Sequence, residues 1–456
     1  MSLATFDRFL FAFTVGSHII FVSMSISIIL MVFLAEILYF FKKNPEYRDL
    51  VLRLRKIFVI SFGIGTASGI VLAVELVVLF PKFMTIVSET GAINLFYAEI
   101  FAFFLETIAL VVYIYFEGVY KWKYTNITLS FVILFGTLLS AVFITMVNAW
   151  MNTPNGFNLT AFITTGKVTG VNAFAPFITP STFSEVAHVL VTTVFAGVMV
   201  LGAYFSYKYI RVKDATMRNL YATMIRMTSI VSIVTIVLAG ITGSNEMATI
   251  LKLQPLKYAA ADLNYYPGTN LPEKIFGTIV NGHVVGAITI PGLQSFLATF
   301  ETGIKYLPGL TQFPSSEWPP LVIHTTFDIM VVGGLILGLF LFISFLVWVV
   351  KKDVMKYKGI LYVQIIAGIF AFIVYELGWV TDEVGRQPWI IYNVMTVSQA
   401  ASNSSGLLIP GYFIIAFYLV VIPSTFYFFD RIFNSSPAKD LKKEINPISS
   451  AGGGQH

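Results

Sequence analysis

The chain has 456 residues, 57% of them hydrophobic and only 12% charged, with a net charge of +5 and no cysteine. This composition excludes a water-soluble globular fold, a disulfide scaffold and a thiolate metal site, so any bound metal must rest on His, Met or carboxylates. The positive charge calls for no nucleic-acid partner, because the basic residues cluster between apolar runs, where membrane topology accounts for them.

Crossing a hydrocarbon layer of about 30 Å takes roughly 20 helical residues. Nine apolar runs of that kind fall at about residues 9–40, 56–80, 93–116, 126–150, 185–208, 219–245, 321–350, 359–381 and 408–430. Backbone groups in lipid must be paired within their own segment, so all nine are expected as helices and the fold class is an all-α integral membrane protein. The first run begins within "MSLATFDRFLFAFTVGSHIIF", which lacks a basic leader and a small-residue cleavage site, and it reads as a permanent helix.

Five segments, "KKNPEYRDLVLRLRK" (42–56), Lys121 with Lys123, "KYIRVKDATMR" (208–218), "KKDVMKYK" (351–358) and the C-terminal tail, hold 20 of the 29 Lys and Arg and fall on one side of a nine-span chain. The positive-inside rule makes that side cytoplasmic, with the N-terminus outside and the C-terminus in the cytoplasm. Three larger loops then face outward, at about 151–184, 246–320 and 382–407. The longest contains "LQPLKYAAADLNYYPGTNLPEK", and its apolar and aromatic content predicts a folded lid over the outer face. Residues 1–436 read as one transmembrane domain with 246–320 as its outer loop, and 437–456, ending "SSAGGGQH", as a disordered cytoplasmic tail.

Ionisable groups inside a membrane are costly and mark function by default. Here they are His18, Glu75, Glu99, Glu106, His188, Asp328 and Glu376, with Glu383 at a helix end, most of them in the outer halves of their helices. Glu36, near the cytoplasmic end of the first helix, is expected to be solvated. Neutral imidazole is a common metal ligand and binds haem iron through one ring nitrogen, although a lone helical histidine such as His18 or His188 is more often an interior hydrogen-bonding residue. Met330, in "HTTFDIMVVGG", falls at a depth similar to His188. A histidine and a thioether together would make a six-coordinate, electron-transferring haem; taken alone, Met330 reads as packing. Glu99 and Glu106, in "AEIFAFFLE", are two helical turns apart on nearly one face. Stacked carboxylates suit a proton relay, a cation site or hydrogen bonding between helices.

Several stretches together, in this order, resemble subunit I of the cytochrome bd quinol oxidase family. The strongest is "GWVTDEVGRQPW" (378–389), beside "FAFTVGSHIIFV" around His18, "AFFLE" ending at Glu106, "LSAVFITMVNAWMNTP" (139–154), "VAHVLVTTVFAG" around His188, "QPLKYAAAD" and "FDIMV" around Met330. The resemblance implies a respiratory enzyme that oxidises quinol at the outer face and reduces dioxygen to water with cytoplasmic protons. It implies that His188 and Met330 ligate a low-spin haem b, and that His18 and Glu383 ligate two high-spin haems, one b-type and one either haem d or a further b-type. Arg386 and Gln387 would hold haem propionates or close the quinol pocket, Lys257 and Asp262 would bind quinol, and Glu106 with Glu99 would serve the proton path, hydrogen-bonded by Asn148 and Ser140. A second membrane subunit or a second copy of the chain is the expected partner, in the cell membrane.

Some positions depart from the family pattern. The first of the paired glutamates is expected at Ala98 and stands at Glu99; Ala73 replaces an acid, with Glu75 two residues later; and Asp328 stands where some members have arginine. The loop of about 75 residues resembles the shorter class of the family. These departures suggest a divergent branch and leave haem d open. Two other readings use the same residues: a carboxylate-based ion or proton transporter, which leaves His18, His188 and Met330 without a role, and a degenerate quinol-oxidising relative that does not reduce oxygen.

Overall fold

The computed structural model describes residues 3–115, 122–299, 306–402 and 404–435. Helices α1 (Leu3–Lys42) and α2 (Pro45–Leu79) form a long hairpin, α3 (Pro81–Glu89) turns the chain, and α4 (Ile93–Tyr115) and α5 (Thr125–Asn152) form a second pair. After the short α6 (Leu159–Thr165) come α7 (Thr182–Arg211), α8 (Ala215–Leu253) and α9 (Pro255–Ala261). The long loop adds β1 (Glu273–Ile275), β2 (Thr278–Val280), β3 (His283–Val285), β4 (Ile288–Ile290) and α10 (Leu293–Thr299). Then follow α11 (Val322–Lys351), α12 (Lys358–Gly385), β5 (Trp389–Ile391), β6 (Met395–Thr396), α13 (Val397–Ala400) and α14 (Leu408–Asn434). Among the described residues nine helices, α1, α2, α4, α5, α7, α8, α11, α12 and α14, are long and apolar enough to cross a membrane, as the apolar runs predict.

Local chemistry sets the boundaries. Between α1 and α2 the Asn44 side chain accepts from Glu46 N–H at 2.9 Å and Pro45 opens the first turn, so a new helix starts almost at once. Asp214 caps α8 in the same way, accepting from Met217 N–H at 2.8 Å. Lys42, Lys208, Arg211, Lys351 and Arg431 occupy last turns, where cations face the negative end of the helix dipole, and they mark one end of the bundle as basic.

Several helices outrun their apolar stretches, α2 by starting at Pro45 rather than near 56. Helix α8 continues to Leu253 rather than stopping near 245, and α12 continues to Gly385, so "TDEVG" is helical and not loop. Polar side chains there are paired inside the protein, so the helix need not end where hydrophobicity does. The long loop folds as two nested antiparallel hairpins, with Glu273 opposite Ile290 and Val280 opposite His283. Its tip is Asn281–Gly282, both at positive φ (50° and 79°), the conformation a two-residue hairpin turn demands. The expected tail, 437–456, lies outside the described residues.

One buried cluster fills the basic end, built from Ile28 and Val32 of α1, Leu50 and Phe58 of α2, Tyr113 of α4 and Phe205 of α7. A second fills the loop end around Phe6, Leu79, Phe83, Trp150 and Ile391. Ile19, Ala196 and Tyr375 join α1, α7 and α12 at the centre. Leu335, Leu339 and Phe342 of α11, and Ile366, Ile369 and Ile373 of α12, are exposed at helical spacing, as lipid-facing residues should be.

Candidate functional site

His18 points from α1 at α2, its Nδ1 2.8 Å from Ser68 Oγ. Ser68 Oγ is also 2.8 Å from the Gly65 carbonyl, and the tautomer that satisfies both bonds has the histidine Nδ1 donating and Nε2 keeping its lone pair. His188 of α7 repeats the device. Its Nδ1 lies 3.1 Å from Thr242 Oγ1 of α8, and Thr242 donates to the Leu238 carbonyl at 2.9 Å. Fixing one imidazole nitrogen so that the other can bind metal is the usual arrangement of a ligating histidine. Gly69 and Gly243 make room for the rings: a Cβ there would lie 3.3 Å from His18 Cε1 and 3.0 Å from His188 Cε1.

Met330 of α11 lies over α12, where a Cβ on Gly378 would be 3.1 Å from its Sδ. It packs with Phe195 and Met199 of α7, Leu337 of α11 and Val374 of α12. His188 and Met330 thus belong to one group of four helices, α7, α8, α11 and α12.

Acids surround the His18 turn. Glu75 is buried and accepts from Thr14 Oγ1 at 3.1 Å, and Glu376 Oε2 is 3.5 Å from the place of a Cβ on Gly16. Glu99 accepts from Ser140 Oγ at 2.9 Å, and Glu106 packs against Gly136, where a Cβ would fall 2.8 Å from the glutamate's own. Both therefore face α5. The expected bonds to Glu106 are redistributed, since Ser140 serves Glu99, and Asn148, nearer the loop end, serves Asp382 and Arg386. Glu36 is not solvated but buried, accepting from the Tyr113 hydroxyl at 2.7 Å with the Arg48 guanidinium 3.7 Å away.

At the loop end the helices converge on a buried polar cluster. Lys257 of α9 forms an ion pair with Asp382 of α12, which also accepts from Asn148 and, at 3.4 Å, from Asn152. Arg386 donates to Asn148 Oδ1 at 2.6 Å, to Asn152 Oδ1 at 3.0 Å and to Glu383. Asn152 also donates to Glu185 Oε1 at 3.1 Å. A Cβ on Gly385 would sit 2.9 Å from Lys257 Cε, so this glycine of the Gly-Arg-Gln-Pro-Trp run opens the lysine's way in. Gln387 accepts from Arg8 of α1. Sequence reasoning missed Asp382, Asn152, Glu185 and Glu246 as members of this region. Glu185, Glu246 and Asp382 sit at the edges of apolar runs, where acids look solvated.

The two residues expected to share a ligand are held apart. Lys257 turns to Asp382, whereas Asp262, at the end of α9, is buried and accepts from Gln294 Nε2 at 2.7 Å. Burial pushes the Asp262 carboxyl above the usual range and, with the Asp262 charge, raises the Tyr258 hydroxyl. Burial and that same charge bring Glu273 to about 8, while burial lowers Lys274, whose Nζ donates to Asn264 Oδ1 at 2.6 Å. His324 of α11 ties the loop down, with Nδ1 2.7 Å from the Ala261 carbonyl and Nε2 3.0 Å from the Phe276 carbonyl. Asp328 accepts from Phe276 N–H and lies 3.2 Å from His324 Nε2, so it serves the loop anchor.

These donors suit a large anionic group with a central iron. Two imidazole Nε2 atoms and one thioether are ligand types for haem iron. Among the described residues the buried Arg386 Nε has no hydrogen-bond acceptor, a donor left for a carboxylate.

The comparisons with known proteins agree with this chemistry. The family model described as cytochrome bd terminal oxidase subunit I matches residues 6–437. A Bacillus subtilis (strain 168) protein, named for its presumed role as a cytochrome bd menaquinol oxidase subunit I, is 31% identical over 440 residues, covering 95% of this chain and 97% of its own. The cytochrome bd ubiquinol oxidase subunit 1 of the same organism is 27% identical over 420 residues, covering 88% of this chain and 86% of its own. The solved bd oxidase of Geobacillus thermodenitrificans superposes with a TM-score of 0.87 at 27% identity, over 96% of this chain and 99% of that one. The chain belongs to the cytochrome bd terminal oxidase subunit I family.

Proposed function

We propose that this chain holds three haems and links oxidation of a quinol at the outer membrane face to reduction of dioxygen to water. As a family member it is a multi-pass cell-membrane oxidoreductase of the respiratory chain, with haem cofactors, quinol and oxygen as substrates and a second subunit in the complex. Bound haem supplies one-electron transfer and an iron centre for oxygen.

His188 and Met330 are assigned to a low-spin haem b. His18 and Glu383 are assigned to the two high-spin haems, one b-type and the other haem d or a further b-type. The observation that carries this reading is the shared arrangement of His18 and His188, each with Nδ1 committed to a hydroxyl and Nε2 left for iron. Arg386 and Gln387 hold propionates; the buried, unaccepted Nε of Arg386 supports that role.

Lys257 and Asp262 act on quinol from the long loop. A carboxyl whose proton affinity burial has raised is the better proton acceptor, which suits Asp262 to take a proton from the quinol hydroxyl. Glu99 and Glu106 bring cytoplasmic protons up α4. The basic end of the bundle is cytoplasmic, the N-terminus is outside and the C-terminus inside. Residues 1–436 act as one domain followed by a cytoplasmic tail at 437–456, and the partner is a second membrane subunit or a second copy of this chain.

The test is spectroscopic. His188→Ala and Met330→Leu should each remove the low-spin b signal from the reduced-minus-oxidised spectrum while the high-spin haems largely remain. Loss of every haem from a variant that is still folded counts against the assignment.

A further inference from the structure

Glu99, Glu106 and Tyr113 recur every seven residues along α4. Two turns advance about 10.5 Å, so the three polar groups stand on one stripe of the helix. The lowest of them, Tyr113, is 1% exposed, and its hydroxyl donates to Glu36 Oε1 of α1 at 2.7 Å. Arg48 of α2 reaches to 3.7 Å from the same oxygen, and the Arg55 guanidinium lies 5.4 Å from the Tyr113 ring centroid. All four residues lie near the basic end, where α1 finishes at Lys42 and α2 begins at Pro45.

A carboxylate and a phenol buried in a membrane helix pair are expensive as mere packing, since two apolar side chains would fill the space without a desolvation cost. We propose that Glu36 and Tyr113 are the cytoplasmic entry of the proton path that continues to Glu106. This inference rests on the assignment of Glu106 to that path.

The relay balances. A proton from the cytoplasm attaches to the Glu36 carboxylate, and the new acid O–H donates to the Tyr113 oxygen. Tyr113 turns its hydroxyl away from Glu36 and passes its own proton to a chain of water beside Ala109, a small buried residue on the same face, which spans the roughly 10.5 Å to Glu106, while the Tyr113 oxygen takes the Glu36 proton in exchange. Rotation of the hydroxyl then restores its bond to Glu36. One proton enters, one leaves, and no charge stays behind. The Arg48 cation, 3.7 Å away, faces the resting carboxylate, and Arg55 lies over the Tyr113 ring.

The test uses the purified oxidase complex with reduced quinol and oxygen. Tyr113→Phe keeps the ring and removes the relay, and Glu36→Gln keeps the shape and removes the proton carrier. Each should lower oxygen consumption by about 100-fold, the low end of what a positioned proton-transfer group contributes. Haem spectra and the rate of haem reduction by quinol should stay unchanged, the solvent deuterium isotope effect should rise, and Glu36→Asp should recover part of the rate. Glu106→Gln serves as the reference. If it alone slows turnover while the other two variants run at the parent rate, the entry is wrong and the assignment of Glu106 stands. If all three run at the parent rate, both fail.

Discussion

Asp382 shows how one side chain organises its surroundings. It receives Lys257, Asn148 and Asn152 and sits next to Glu383 in sequence, so the long loop and the proposed iron ligand are fastened to the same turn of α12. Removing one partner of a fully buried ion pair costs about 3–5 kcal/mol, because the other charge is left uncompensated, and with the Asp382 side chain 22% exposed the cost here is smaller. Asp382→Ala should therefore lower the melting temperature of the detergent-purified protein and raise the KM for quinol. Replacing both charges, Lys257→Met with Asp382→Leu, should restore most of the stability but not quinol oxidation. Recovery of quinol oxidation in the double variant would show Lys257 to be a structural residue only.

The residues of the motif were legible in the sequence, but their partners were not. Glu383, Arg386 and Lys257 stand out as charges beside apolar runs, whereas Asn148, Asn152 and Glu185 acquire meaning only when three helices bring them to one point. Glu36 was misread for the same reason. A carboxylate six residues from a helix end looks solvated until Tyr113 and Arg48, from two other helices, are seen to cover it.

At the scale of elements, apolar runs located every spanning helix, since lipid imposes pairing within each segment. They failed at helix ends, chiefly at the start of α2, hidden by the charged stretch before residue 56, and at the ends of α8 and α12, where the protein supplies the polar partners that water would otherwise supply. The nested hairpins of the long loop are too short for a hydropathy signal, although Asn281–Gly282 between the runs Thr278–Val280 and His283–Val285, both rich in β-branched residues, is a hairpin cue.

That hairpin carries a titration. Burial raises Glu273 of β1 from 4.5 to about 8. Between these values the folded loop keeps a proton that the unfolded segment has released, so the stability tied to this group falls as pH rises through that window. Amide exchange in β1 and β4, corrected for its intrinsic pH dependence, should speed up between about pH 5 and about pH 8, and Glu273→Gln should flatten the rise. Equal slopes in variant and parent would show that another group controls the loop.

On the scale of the whole molecule the chain divides its chemistry by depth. The basic residues and the Glu36–Tyr113 pair occupy one end, and the Lys257–Asp382–Arg386 cluster and the long loop occupy the other. His18 and His188 lie in the loop-end parts of α1 and α7. Such a division suits the proposed reaction, which draws electrons from one face and protons from the other, and its basic end was readable from the placement of Lys and Arg before any contact was known. The measurement that bears most directly on this account is oxygen uptake by the purified complex with added quinol, recorded together with the haem spectrum. The account predicts b-type haem that quinol reduces and oxygen reoxidises at the rate of oxygen uptake. A haem-free preparation from haem-replete cells, or a fully haem-loaded one that quinol reduces without any oxygen uptake, would contradict it.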